Sequence, residues 1–277
     1  MPNYQMIACD LDGTLLTDDM KLSEENSRAM QAIADMGVLF VPSSGRTMCE
    51  IPDEVKNHPA VRYIIHSNGA AIFDKKTNER TVIGLTNEQV GLVMDIIAPH
   101  RPNIVIRCNG QSYADINAWD SEEKLAYNRV WPYHSTVIRQ CAIFLDDFEK
   151  FCRASNGLEV FSISFHNDEI EECCLSKIRE FHDLRVVKAA DHLWEIFAAK
   201  AGKGNTLELF ADMQGVDMAN VISIGDSGND ITGIKAAGLG LATANACDEL
   251  KAVADAIICS NEEHVAPYVL KHYLEET

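Results

Sequence analysis

Short apolar runs that each stop at a polar loop, with helical stretches between them, constrain this chain more than any other feature. Residues 5–9 form the first run, stopped by Asp10-Leu11-Asp12-Gly13. Ser23, with Asn26 and Ser27, opens a helical stretch that reaches Met36, and Gly37 closes it. Residues 38–41 form a second run, ending at Pro42-Ser43-Ser44-Gly45-Arg46; residues 63–65 form a third, ending at His66-Ser67-Asn68-Gly69. Continuous apolar runs of this length read as buried strands. Strand and helix in alternation predict an α/β fold built on a doubly wound parallel sheet.

The rhythm loosens after residue 82. Residues 86–99 read as a helix with Thr86 and Gln89 spaced as a capping box. Residues 103–108 alternate as a strand, and Asn109-Gly110 is a hairpin-type turn. Residues 119–129 read as a helix, 137–145 as strand-like, 146–154 as a helix, 158–165 as a strand, 168–181 as a helix and 184–188 as a strand. The tight pattern then returns. Residues 193–198 are apolar, and 205–213 form a helix after Gly202-Lys203-Gly204. Residues 221–224 form a strand that ends at Gly225-Asp226-Ser227-Gly228-Asn229-Asp230. A helix over 231–237 stops at Gly238, and short strands follow at 239–242 and 256–259. The expected organisation is a core split over 1–82 and 191–277, with an α/β domain over 83–190 inserted; about 110 residues suffice for a domain.

Lys and Arg number 24 against 42 Asp and Glu, a net charge of −18. Such a surface disfavours nucleic acid and anionic membranes as partners. It also repels phosphate esters at long range, so a phosphate site would need a metal ion or a few well-placed Lys and Arg. The nine Cys contain no Cys-x-x-Cys pair, which argues against a zinc site or a disulfide framework. Reduced thiols and an N-terminus with acids where a signal peptide is apolar point to the cytoplasm. No stretch approaches the ~18 apolar residues of a membrane span. A monomer or small homo-oligomer is expected.

In open parallel sheets, ligands bind beyond the carboxyl ends of the strands. Four such ends carry unusual polar sets: Asp10/Asp12, Ser44/Arg46, Asn68 and Asp226/Asn229/Asp230. Any one of these acids is explained by helix capping; their recurrence at strand ends argues for a site. Asp10 and Asp12, two apart, share a side of an extended chain. With Asp226 near them they would repel strongly unless a cation joined them, and hard oxygen donors favour Mg²⁺. Gly13-Thr14 lets the backbone turn close to a ligand. Ser44-Gly45 offers a hydroxyl and backbone N–H groups at a strand-to-helix junction. Lys203, between glycines, is a point charge suited to a phosphoryl oxygen.

Asp10-Leu11-Asp12-Gly13-Thr14 resembles the first motif of the haloacid dehalogenase superfamily. Ser44 resembles its second motif, Lys203 its third and residues 225–230 its fourth, in the same order. Asn68-Gly69-Ala70, Glu195-Ile196, Asn245-Ala246 and Ser260-Asn261 are further likenesses, to the Cof-like branch (subfamily IIB), whose C2-type α/β cap is inserted after the third core strand. The chain departs from that pattern at Ser44, where Thr is usual, at Thr243-Ala244, where Met-Gly is common, and after Asn261. The resemblance implies a Rossmann-like core and a Mg²⁺-dependent phosphatase acting on a small phosphorylated metabolite, a sugar phosphate or similar, through an aspartyl-phosphate. It implies Asp10 as nucleophile and Asp12 as acid and base. Leu11, Ser44, Gly45, Lys203 and Asn229 would surround the phosphoryl group. Asp10, Asp12 (through its carbonyl) and Asp226 would hold the metal, with Asp230, Thr14 and Arg46 supporting them from behind. A sugar phosphomutase on the same core is the alternative, and a phospho-acceptor signalling module is the alternative of another class; the latter has no use for an inserted domain or for Asp12. A nicotinamide-binding protein is disfavoured, because Gly-x-Gly-x-x-Gly is absent after the first strand.

Overall fold

The computed structural model describes residues 4–275. The chain divides into two compact units. The first takes the chain to Arg46, Ile51–Thr81 and everything from Gly202; the second takes Thr47–Glu50 and Val82–Ala201.

The first unit is built on a five-stranded parallel sheet. Its strands run in the order Ala256–Ile257, Leu239–Ala242, Val221–Gly225, Met6–Cys9 and Leu39–Pro42. Met6–Cys9 is fully buried between two neighbours, as its uninterrupted apolar run requires. The helix Lys203–Gln214 packs Leu207, Phe210 and Ala211 onto Met6, Ala8 and Val221. The helix Glu24–Asp35 buries Asn26, Ala29, Met30 and Ile33, one face of a 3.6-residue repeat. Ser23 Oγ caps it by accepting from Asn26 N at 3.1 Å, and Gly37 leaves it at φ +84°.

Tyr63–His66, expected as a third member of the parallel sheet, pairs instead with Ala71–Asp74 in an antiparallel sheet that also holds Glu79–Val82. It meets the parallel sheet through one bridge, Ser43 to Ile65, and the bond Ser44 N to Ile65 O at 2.9 Å. The turn at Asn68 and Gly69, both at positive φ, hands the strand a local partner at once.

The second unit carries a six-stranded sheet in the order Leu184–Ala190, Leu193–Ala198, Leu158–Ser164, Asn103–Cys108, Gln111–Asp115 and Ile143–Leu145. Only the last pair is parallel. The helices Asn87–Ile97, Phe148–Ala154 and Asp168–Arg179 cover one face, over Ile104, Ile106, Phe161 and Ile163. The capping box of Thr86 and Gln89 forms, and Asn109-Gly110 turns the hairpin at φ +53° and +76°. On the other face Arg107 is buried between Glu50 and Glu195, and Ser112 Oγ donates to Glu50 at 2.6 Å. Arg107 and Ser112 hold the Glu50 carboxyl below its usual range, against burial that pushes it up.

Three expectations are corrected here. Leu193–Ala198, expected with the returning core at 191, pairs on both sides within the six-stranded sheet. Residues 137–145, expected as a strand, are the end of the helix Pro132–Cys141 followed by the short strand Ile143–Leu145. Pro132 at the first turn presets a helical φ, and burial of Ile138 outweighs the β-propensity of Val137-Ile138. The helix expected over 119–129 is shorter, Glu122–Tyr127, because Ser121 caps it late. Among the described residues no helix is long and apolar enough to cross a membrane.

Candidate active site

The register of the parallel sheet brings the polar strand ends to one level. Cys9 pairs with Ile224 on one side and Pro42 on the other. Asp10 N donates to Ile224 O at 3.0 Å, and Ser43 N to Cys9 O at 2.8 Å. Asp10 therefore leaves its strand beside Gly225-Asp226 and Ser43-Ser44, although these segments are far apart in the chain.

Asp10, Lys203 and Asp230 are each 4% exposed. Lys203, first residue of its helix, places Nζ at 2.7 Å from Asp10 Oδ1 and 2.6 Å from Asp230 Oδ1. The second oxygen of Asp230 accepts from the backbone N–H groups of Asp226 and Ser227, both at 3.1 Å. Oxygens of Asp10, Asp226 and Asp230 all lie within 4.8 Å of one another. Burial raises the Asp10 carboxyl well above its ordinary range, and Asp230, Asp226 and Asp12 add to this, against the one ammonium of Lys203. Burial, then Asp230, pushes Asp226 up to about 6. The ammonium of Lys203, held by two carboxylates, is raised despite its burial. Three carboxylates against one ammonium leave an excess of negative charge on hard oxygens, and that donor set fits a divalent cation.

The loop after Asp10 is shaped for closeness. Gly13 stands at φ +70°, and a Cβ there would lie 2.5 Å from Asp226 Oδ2. Thr14 Oγ1 is 3.5 Å from Asp226 Oδ1. Three amides hold the loop's carbonyls: Asn245 Nδ2 donates to Gly13 O at 2.7 Å, Asn26 Nδ2 to Leu15 O at 2.8 Å and Asn261 Nδ2 to Leu16 O at 3.1 Å. Leu11 is buried, and its carbonyl accepts from Leu16 N at 2.8 Å.

Ser44 is fully buried, its Oγ accepting from Arg46 N at 3.1 Å. A Cβ on Gly45 would lie 3.0 Å from Asn68 Oδ1, and Asn229 Nδ2 donates to that same oxygen at 3.0 Å. Asn68 N donates in turn to Ser44 O at 3.1 Å. The Asp12 carboxylate is not in the group of three; it pairs with Arg46 through two hydrogen bonds.

All the candidate catalytic, phosphate-binding and metal-holding residues named from the sequence thus lie in the first unit, whereas Glu195-Ile196, named as a likeness, lies in the second. Asp10, Asp226, Asp230 and Lys203 form one cluster; Ser44, Gly45, Asn68 and Asn229 form a polar set around the neighbouring strand ends; Asp12 and Arg46 form a pair. Sequence reasoning missed Asn26 as a clamp on the loop, having read it as a helix opener. It also missed Ser227, whose Oγ donates to Asn229 Oδ1 at 2.9 Å. No local signal distinguishes such an Asn from an ordinary capping residue, since its partner is set by packing.

A family model described as haloacid dehalogenase-like hydrolase matches residues 7–270. The 5-amino-6-(5-phospho-D-ribitylamino)uracil phosphatase YcsE of Bacillus subtilis is 28% identical over 274 residues, covering 98% of this chain and 96% of the relative. Phosphatase YwpJ of the same organism is 27% identical and covers 98% of this chain and 100% of the relative. A solved haloacid dehalogenase-like hydrolase from B. subtilis superposes with a TM-score of 0.80 at 23% identity, over 98% of this chain and 100% of the other. A subclass IIB sugar phosphatase superposes with a TM-score of 0.78 at 17% identity, over 97% of this chain and 98% of the other.

Proposed function

Because this chain belongs to the haloacid dehalogenase-like hydrolases, in their Cof-like branch, and is a phosphatase, we propose that it hydrolyses a small phosphorylated metabolite through an aspartyl-phosphate on Asp10, with Mg²⁺ as cofactor. The reading rests on one observation: a buried carboxylate at a strand end, 2.7 Å from Lys203 and grouped with two further acids.

A carboxylate oxygen of Asp10 attacks phosphorus in line, and the bond to the ester oxygen breaks. Asp12 gives its proton to the departing oxygen. A water then attacks the aspartyl-phosphate, Asp12 takes a proton from that water, and the bond between phosphorus and Asp10 breaks. Lys203, Ser44, Asn229 and the backbone at Leu11 and Gly45 hold the phosphoryl oxygens as charge spreads over them. Asp10, the Asp12 carbonyl and Asp226 would hold Mg²⁺, which when bound offsets the charge of phosphate and carboxylates. Asp230 positions Lys203, and Thr14 steadies Asp226. Choice of substrate belongs to the second unit, acting as a cap. Sugar phosphates are the first substrates to try, and phosphorylated ribitylaminouracil is worth including because three relatives carry that substrate in their names.

The test is a panel of phosphorylated metabolites assayed for released phosphate with Mg²⁺, without any bisphosphate activator. Asp10→Asn should lower turnover by roughly a thousandfold or more with an unchanged circular dichroism spectrum. Turnover by that variant near the parent level would remove Asp10 as nucleophile, and full activity in chelator would remove the metal.

A further inference from the structure

The second unit brings two cysteines to one short stretch of hairpin. Cys49 N donates to Gly110 O at 3.1 Å, and Ser112 N donates to Cys49 Sγ at 3.3 Å. Cys141, last residue of the helix Pro132–Cys141, has its carbonyl held by Gln111 Nε2 at 2.5 Å. Tyr113 pairs with Ile143 in the parallel edge of the sheet, so the chain two residues earlier runs past Gln111. Both thiols are partly exposed, Cys49 Sγ facing the backbone N–H of Ser112 and Cys141 Sγ donating to Val137 O at 3.2 Å.

We propose that Cys49 and Cys141 are a reversible dithiol–disulfide pair, oxidised by a hydroperoxide and restored by a dithiol reductant. This does not rest on the phosphatase reading. The bond from Cys141 to Val137 O keeps Cys141 a thiol, whereas the Cys49 sulfur accepts from Ser112 N, which favours its thiolate. The neighbouring Cys141 side chain first, with help from Ser112, brings the Cys49 thiol down to about 7, against burial and Glu50, which push it up. Cys49 is therefore the attacking thiolate and Cys141 the resolving thiol. The Cys49 sulfur attacks one peroxide oxygen, the O–O bond breaks, and the other oxygen leaves as hydroxide or alkoxide. Cys49 is now a sulfenic acid. Cys141 loses its proton to the departing base and attacks the Cys49 sulfur; the S–O bond breaks and hydroxide leaves to form water. Two thiols are oxidised by two electrons and the peroxide is reduced by two, giving water and a second water or an alcohol. The bond ties Thr47–Glu50 to the end of the helix Pro132–Cys141.

The full chain, reduced and then treated with substoichiometric hydrogen peroxide, is digested and mapped by mass spectrometry. The expected result is a linked Cys49–Cys141 peptide that disappears with dithiothreitol. Cys173 is the exposed control. Cys49 should be oxidised roughly tenfold faster than Cys173. In Cys141→Ser, dimedone should trap the sulfenic acid on Cys49. Oxidation of Cys49 no faster than that of Cys173, or passage of Cys49 to sulfinic acid in the parent protein without a linked peptide, would overturn the proposal; the mapping of the parent protein needs no variant.

Discussion

Arg46 holds the Asp12 carboxylate in its guanidinium fork, with Nε 2.8 Å from Oδ2 and Nη2 2.6 Å from Oδ1. The two residues are 34 apart in sequence. A bidentate pair of this kind fixes direction as well as charge. In the proposed reaction it aims Asp12, which takes up a proton, releasing one of these two bonds, before it passes that proton to the leaving oxygen.

Arg46→Lys keeps the charge and loses the fork. We expect kcat to fall roughly tenfold to hundredfold on an alkyl phosphate, whose leaving group needs a proton. On p-nitrophenyl phosphate, whose leaving group does not, the loss should be several times smaller. Equal losses on both substrates would show that Arg46 does not act through Asp12.

Lys203→Ala removes the ammonium that bridges two buried carboxylates, which then face each other without it. Breaking a buried ion pair from one side costs about 3–5 kcal/mol. The variant should be inactive, with an unfolding midpoint in urea lower than that of the parent, and millimolar Mg²⁺ should recover part of the loss. No change in midpoint would contradict the pairing.

The pH dependence follows from Asp226. Its folded-state value of about 6 lies above the ~3.9 of an unfolded Asp. Between these values the folded Asp226 binds more protons than the unfolded one, so this group's share of the stability falls as pH rises from about 4 to about 6, opposite in sign to carboxyls held low, such as Glu50. The loss through this group is about 2–3 kcal/mol. Asp10, raised in the same direction, adds to it. Urea midpoints in chelator should decline over this window relative to those of Asp226→Asn, and the relative decline should flatten with excess Mg²⁺, which favours the ionised carboxylates. A parent midpoint that rises with pH relative to Asp226→Asn in chelator would reverse the argument.

Gly13→Ala is strained twice, at φ +70° and against the Asp226 carboxyl. We expect a loss of about 1–3 kcal/mol in stability and a fall of roughly a hundredfold in kcat/KM, since displacements near 1 Å in such sites cost that much. Gly37→Ala is the control: φ is +84°, but nothing lies within 4 Å of the added Cβ. It should lose stability alone and keep its turnover.

The legible parts of this molecule were those whose cause is local. The Ser23 and Thr86 caps, the Asn109-Gly110 turn and the buried strand Met6–Cys9 are decided by a few neighbouring residues. The acids at the strand ends belong here too, because a polar residue that stops an apolar run is visible without a partner. Residues 137–145 were misread for the opposite reason. Val137-Ile138 favours a strand by itself, and burial of Ile138 in the helix outweighs that preference.

By itself, then, the order of residues determined the α/β character and which acids stop the apolar strands at their ends. Tertiary structure alone decided that Leu193–Ala198 joins the six-stranded sheet, that Arg46 takes Asp12, and that Asn26, Asn245 and Asn261 clamp the loop beyond Asp10. The physical reason is range. A cap or a turn is closed within four residues, whereas the amide of Asn261 reaches Leu16 across 245, and its partner is chosen by how the whole sheet packs.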